Sequence, residues 1–320
     1  MDQWYRTVGT VVNISGSVKV FPLEPPRQEQ EHTMIIVTGA NGQLGRQTVE
    51  RLLTRVPAER VGVSVRDPRR AQALADRGVR VRQGSFTDPG SLAHAFEGAT
   101  QILLVSVDEM GEECVKPHRT AIDAAVAAGA RRILYTSQMG CSPTSRFQAC
   151  RDHAATEEML RACGVPFTSL RNGYYAASAL HFFGDAAGTG RLALPADGPV
   201  AWTAHADLAE AAAAVLADEG RFDGPTPPLT GGQTLTFADI AALASGMTGR
   251  TVTRTVVPEE DFREHLQTQG VPALLADRLL GIFAASREGE FAAVDPTLAT
   301  LIGREPLTLA DVLRERLSAG

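Results

Sequence analysis

The chain has 320 residues, 44% hydrophobic and 21% charged, with a formal net charge of −6. Such a chain can bury a large core in one domain or one and a half, and its acidic balance and lack of a basic tail exclude nucleic acid and anionic membranes as implied partners. No apolar run reaches the ~18 residues of a membrane span. The four cysteines, Cys114, Cys141, Cys150 and Cys163, form no CxxC pair, so reduced thiols and a cytoplasmic location are expected.

Residues 1–33 read as foreign to the rest of the chain. Apolar stretches at 11–14 and 18–21 suggest short strands, and the run 22–31 is linker-like, with Pro22, Pro25 and Pro26 among glutamines and glutamates. No signal-peptide pattern stands there. A mis-called start or a disordered tail is the expectation, with a small added module as the alternative.

From Met34 the order is regular. Met34-Ile35-Ile36-Val37 is a buried strand. It runs into Thr38-Gly39-Ala40-Asn41-Gly42-Gln43-Leu44-Gly45, and an amphipathic helix follows over 43–53. Strand, glycine turn and helix is the arrangement that holds a dinucleotide pyrophosphate, because glycines admit the backbone closely and the helix start offers free N–H groups. The spacing is G-x-x-G-x-x-G, and its context between strand and helix is what gives it weight. Strand 2 is expected over 61–65, followed by Arg66-Asp67-Pro68 and a helix over 69–76. Asp67 before a proline reads as a helix cap. That leaves Arg66 at the strand end, where a guanidinium suits a 2′-phosphate and favours NADP(H) over NAD(H).

Strand 3 is expected over 79–82, with 83–86 passing near an adenine. Asp88-Pro89 opens a helix ended by Gly98. Strand 4 covers 101–105, with Ser106 and Val107 at its carboxyl end, where ligands of such sheets lie. A helix over 115–128, strand 5 over 131–135, a helix over 153–162 and strand 6 over 165–170 complete the repeat. The fold expected is α/β: a doubly wound parallel Rossmann sheet over 34–172, and a smaller, mainly helical substrate region over 173–320. The later segments include helices over 205–216 and 236–247, the second capped by Thr236.

The motifs Thr38 to Gly45, Val65-Arg66-Asp67-Pro68, Tyr135-Thr136-Ser137, Asp152-His153-x-x-Thr156-Glu157-x-Met159-Leu160 and Leu170-Arg171-Asn172-Gly173-Tyr174-Tyr175, in this order, resemble the NmrA-like atypical short-chain dehydrogenases. Within them the likeness is to the bacterial NADPH:quinone oxidoreductases of the second type, and it runs from Met34 to the C-terminus. The resemblance implies NADP(H) as cofactor. It implies pyrophosphate contacts from Gly39, Asn41, Gly42, Gln43 and Leu44, and a 2′-phosphate contact from Arg66. It also implies that Ser106 and Val107 lie along the cofactor and that Asn172, Gly173 and Tyr174 lie near the nicotinamide. Ser106-Val107-Asp108 departs from the serine run of close relatives.

Ordinary short-chain dehydrogenases protonate a carbonyl with Tyr-x-x-x-Lys. Here the residues four beyond Tyr5, Tyr135, Tyr174 and Tyr175 are Gly9, Met139, Ser178 and Ala179, and neither Lys19 nor Lys116 fits. By resemblance His153 takes the lysine's place and Ala149 the tyrosine's. His153 and Glu157, spaced i, i+4, share a helix face, so Glu157 is expected to raise the histidine's pKa and orient its ring. His153 as ribose contact or proton donor, Ser137 as a substrate-orienting residue and Tyr174 as a stacking residue are the catalytic candidates, with either Tyr174 or Tyr175 facing the site. The seven histidines show no metal-ligand spacing and no metal is expected. No G-x-S-x-G elbow appears. The expected activity is hydride transfer from NADPH to a quinone or similar small activated acceptor. The alternative is an NADP(H)-binding regulator without turnover, and a homodimer is left open as the assembly.

Overall fold

The fold comes from a computed structural model that describes residues 10–12, 18–20 and 33–318. Most of 1–33, and with it the expectation of a tail or added module, falls outside the described residues. By its contacts the chain divides into two compact units, Met1–Thr33 and Met34–Gly320. In the first, β1 (Thr10–Val12) pairs antiparallel with β2 (Val18–Val20).

In the second, the elements in order are β3 (Ile35–Thr38), α1 (Gln43–Leu52), β4 (Val61–Val65), α2 (Gln72–Ala75), β5 (Arg80–Gln83), α3 (Pro89–Phe96), β6 (Gln101–Leu104), α4 (Glu112–Ala127), β7 (Arg132–Gln138), α5 (Gln148–Ala162) and β8 (Phe167–Asn172). Then come β9 (Tyr174–Tyr175), α6 (Ala176–Phe183), α7 (Ala186–Thr189), β10 (Arg191–Leu194), β11 (Trp202–Thr203), α8 (His205–Ala217), β12 (Gly224–Pro225), α9 (Phe237–Thr248), β13 (Thr253–Val256), α10 (Glu259–Thr268), α11 (Ala273–Arg287), α12 (Thr297–Ile302) and α13 (Leu309–Ser318). Seven strands form one parallel sheet in the order β12-β8-β7-β6-β3-β4-β5. This is the doubly wound sheet expected. The chain order reverses between β3 and β6, and a crevice opens there at the carboxyl ends.

The central strands are apolar throughout because both faces are covered. Ile35 and Val37 point to a core shared with Val49 and Leu52 of α1 and Leu208 and Ala212 of α8. Ile36 points the other way, to Phe96 of α3, Ile122 of α4 and Leu160 of α5. Past β8, Phe183, Trp202, Phe237, Phe283 and Phe291 build a separate aromatic core under the C-terminal helices.

The structure differs from the sequence expectations at several boundaries. Over 69–76 the chain first makes a 3-10 turn, Pro68–Ala71, with the Asp67 carboxylate accepting from the Arg69 N–H, and only then α2. α4 begins at Glu112, three residues before the expected start, because Gly111 at φ +78° makes the turn into it. α5 begins at Gln148 rather than at His153. The seventh strand, β12, was not anticipated: two residues, Gly224 and Pro225, give no strand pattern, and only their pairing with Thr168 and Ser169 defines them. Among the described residues no helix is long and apolar enough to cross a membrane, and no group of three or more His, Cys, Asp or Glu is placed to hold a metal ion.

Candidate functional site

At the carboxyl ends of β3, β4, β5 and β6 lies a cleft of about 1450 Å³. This exceeds the roughly 300–1,000 Å³ that suits one drug-sized ligand, so a dinucleotide and a second small molecule fit together. Its floor is the glycine turn. Gly39 holds φ +64°, a left-handed conformation that disfavours side chains, and its N–H donates to the Ser64 carbonyl at 3.1 Å. A Cβ at Gly45 would stand 2.5 Å from the Gly39 carbonyl oxygen, so α1 packs onto the turn only because residue 45 is glycine. Gly42 caps α1 without a side-chain hydrogen bond. The first-turn amides, with the positive end of the helix dipole, are thus left for an anionic ligand. Asn41, Gln43 and Leu44 line this end, and the Asn41 amide also donates to the Asp67 carbonyl at 2.9 Å, fastening the turn to the end of β4.

Charge is divided along the cleft. Arg66 and Arg70 line one end, and among the described residues neither guanidinium has an ion-pair partner. Asp67 is occupied: the Arg69 guanidinium grips it at 2.9 and 3.1 Å and holds its carboxyl below the usual range. A ribose-binding carboxylate is therefore not on offer there, while free guanidinium is, which fits a 2′-phosphate. Gly84, Ser85 and Phe86 continue the wall. Val105, Ser106 and Val107 form the opposite wall, leading to Asp108, Glu109, Glu112 and Glu113.

The far end is closed by residues after β8. Tyr175 and His205 line it with ring centroids 4.3 Å apart, and Leu274 and Arg278, one turn apart on α11, reach over from the C-terminal region. Burial pushes the Tyr175 phenol up, with the Asn172 side chain pulling the other way, so the hydroxyl keeps its proton. Burial lowers His205 to about 4, so it is neutral at neutral pH.

A family model described as the NmrA-like family matches residues 31–308. The chain belongs to the NmrA-like family. It is 37% identical over 279 residues to quinone oxidoreductase 2 of Escherichia coli, covering 87% of this chain and 96% of that one. The crystal structure of the NADPH-dependent E. coli enzyme with NADPH superposes with a TM-score of 0.83 at 36% identity, over 89% of this chain and all of that one. Triphenylmethane reductase of Citrobacter sp. with NADP(H) matches with a TM-score of 0.79 at 30% identity, over 88% and 99%.

In this NmrA-like chain Gly39, Asn41, Gly42, Gln43, Leu44, Arg66, Ser106 and Val107 all line the cleft. The other sequence candidates do not. Ser137 is buried and its hydroxyl donates to Glu157 Oε1 at 2.8 Å. Glu157 also receives Arg171 through Nε at 3.1 Å and Nη2 at 2.8 Å. Burial opposes ionisation of Glu157, but these donors outweigh it and hold its carboxyl below the usual range. Glu157 therefore turns to Arg171 and not to His153. His153 Nδ1 instead meets the Tyr135 hydroxyl at 2.6 Å. Its pKa is not raised as expected: burial brings it down to about 4, against the opposing charges of Asp152 and Glu157.

Tyr174 packs in the aromatic core, 4.9 Å from Phe291 and 5.5 Å from Trp202 between ring centroids. Asn172 and Gly173 are in the interior beside it. The Gly173 N–H donates to the Leu229 carbonyl at 2.7 Å, and the Asn172 Oδ1 is buried without a partner among the described residues. His205 is the residue that sequence reasoning did not select, and of the two tyrosines left open it is Tyr175, not the catalytic candidate Tyr174, that lines the cleft. Adjacent strand residues face opposite ways, so one tyrosine had to turn inward, but nothing local says which. His205 read only as the start of α8.

Proposed function

We propose that this protein is an NADPH-dependent oxidoreductase that passes a hydride to a quinone or similar small activated acceptor. The observation that carries the reading is the single cleft in which uncapped first-turn amides and the unpaired Arg66 stand at one end and the Tyr175–His205 pair at the other. Two relatives are named quinone oxidoreductase 2 and triphenylmethane reductase, after acceptors that are conjugated ring systems, and this supports the acceptor class.

NADPH, when bound, supplies the hydride. The residues do the rest. The turn from Gly39 to Gly45 and Arg66 hold the two phosphate-bearing parts. Val105 to Val107 would stand along the cofactor, and Tyr175, His205, Leu274 and Arg278 line the end left for the acceptor ring. The acceptor gains two electrons as hydride and one proton. A quinone is a strong electrophile, so positioning rather than a tuned acid sets its rate. The Tyr175 hydroxyl, kept protonated, is the group at that end that would donate to an acceptor oxygen; Ser137 and His153 are committed to interior hydrogen bonds.

A second reading is an NADP(H)-binding regulator. The inward turn of Ser137 and His153, with no Tyr-x-x-x-Lys pair, favours it. Steady-state assays with a panel of benzoquinones, naphthoquinones and conjugated dyes separate the two. Acceptor-dependent NADPH oxidation is expected. Tight NADPH binding with no oxidation above background by any acceptor would replace the enzyme with the regulator.

A further inference from the structure

The cleft wall after β6 is irregular chain, yet four of its amides are taken up by side chains from four different elements. The Val105 N–H donates to Thr38 Oγ1 of β3 at 2.9 Å, and the Ser106 N–H to Thr136 Oγ1 of β7 at 2.8 Å. The Val107 N–H donates to His118 Nε2 of α4 at 3.1 Å, and the Gly111 N–H to Asp152 Oδ2 of α5 at 2.6 Å. Three of these acceptors are oxygens and accept under ordinary conditions. His118 is different, because an imidazole nitrogen accepts only when it carries no proton.

The surroundings settle the tautomer. A backbone N–H can only donate, so Nε2 must be bare, and the single proton of the neutral ring sits on Nδ1. There it meets Thr156 Oγ1 at 3.0 Å, and that hydroxyl has committed its own hydrogen to the Asp152 carbonyl at 2.8 Å. The chain of donation runs in one direction: Val107 N–H to Nε2, Nδ1–H to Thr156, Thr156 O–H to the backbone of α5. A protonated ring would point N–H at N–H across the Val107 contact. His118 is 1% exposed, and burial lowers it to about 3, which keeps the ring neutral. Its ring edge also meets Phe86, on the cleft wall, at a centroid distance of 6.3 Å.

We propose that His118 is a positioning residue for the cofactor: its Nε2 lone pair, oriented by Thr156, fixes the Val107 wall against which NADPH binds. This rests on the NADP(H) reading of the cleft. A purely packing role makes the opposite prediction, since His118 lies edge-on to Tyr135 with centroids 5.3 Å apart and a phenylalanine keeps that contact. The variants His118→Phe and His118→Gln therefore separate the roles. Phenylalanine preserves the ring and removes the acceptor. Glutamine loses the ring but places Oε1 near the position of Nε2.

The test is the NADPH dissociation constant by fluorescence titration, beside KM for NADPH, kcat and the melting temperature of each variant. For His118→Phe the dissociation constant and KM are expected to rise about tenfold, the loss of one buried hydrogen bond with an amide left unpaired. For His118→Gln they return to within about threefold of wild type, although its melting temperature falls further. Thr156→Val, which removes the group that fixes the tautomer, weakens NADPH binding as well and keeps the test open should the phenylalanine variant not fold. Wild-type affinity in His118→Phe, or in Thr156→Val, would overturn the proposal. So would affinity losses that simply follow thermal stability, with glutamine worse than phenylalanine. Because binding is read directly, an absence of turnover leaves this result standing; a wild-type protein that does not bind NADPH overturns both readings.

Discussion

Gly45 meets the carbonyl oxygen of Gly39 where a Cβ would lie 2.5 Å away, and Arg66 stands exposed at a strand end with no partner among the described residues. Both were legible in the sequence for a local reason: one is a backbone requirement, the other a charge next to a capped turn. Arg66→Ala should weaken NADPH binding by about 1.5–3 kcal/mol, the worth of hydrogen bonds to a charged group, with little change for NADH. Equal losses for the two cofactors in parallel titrations would remove Arg66 from the 2′-phosphate site. The acceptor end was less legible. Tyr174 and Tyr175 are chemically alike and adjacent, and the choice between them is made by Phe147, Trp202 and Phe291, which arrive from distant parts of the chain. Tyr175→Phe should lower kcat about tenfold with good quinones, below the usual 10²–10⁴ for a general acid, and leave the NADPH dissociation constant unchanged. An unchanged kcat across the acceptor panel would take the hydroxyl out of the reaction.

α5 shows how one element serves several others. From a single inward face, Asp152 holds the Gly111 amide, Thr156 orients His118, and Glu157 binds Ser137 and Arg171 of β7 and β8. Its period was readable, and His153 and Glu157 do lie one turn apart. Their pairing was not realised because Arg171, from a strand with no local relation to the helix, offers a two-point grip that a histidine lacks. Glu157 is 1% exposed and Arg171 28%, so Glu157→Ala removes the buried counterion from a guanidinium that water still reaches. The expected loss is about 1.5–3 kcal/mol of folding stability, the worth of hydrogen bonds to a charged group, read from urea unfolding. A loss under about 1 kcal/mol would place the pair among weak surface bridges. Conversely, Ser137 kept its place at the end of β7 as expected, but its hydroxyl belongs to this ion pair rather than to a substrate.

Over the whole molecule, alternating strands and helices announced the parallel order correctly, whereas β12 and the aromatic core beyond β8 depend on pairings between remote segments and left no local pattern. Removal of residues 1–33, which form a separate contact unit, should leave NADPH affinity unchanged in the shortened chain; a large loss on titration would assign the segment to the site. Three histidines, His118, His153 and His205, are held neutral, at about 3, 4 and 4. Between pH 6.5 and these values the unfolded chain binds protons that the folded chain refuses. Stability should therefore be flat in this respect above about pH 6.5 and fall on acidification, by about 1.4 kcal/mol per pH unit for fully buried His118 alone. Urea midpoints that rise between pH 6.5 and 5 would contradict this. The same burial acts on sulfur. It pushes Cys114 up to about 12 and Cys141 to about 11, raises Cys150 further, and none of the four cysteines lines the cleft. Lys116, the one lysine within 33–318, is ion-paired to Glu112 at 2.7 Å. Quinones alkylate thiolates and free amines, and it is the thiolate that reacts. A cleft that handles such acceptors thus presents them with no cysteine, and burial keeps the thiols of Cys114, Cys141 and Cys150 in the protonated form that quinones do not attack.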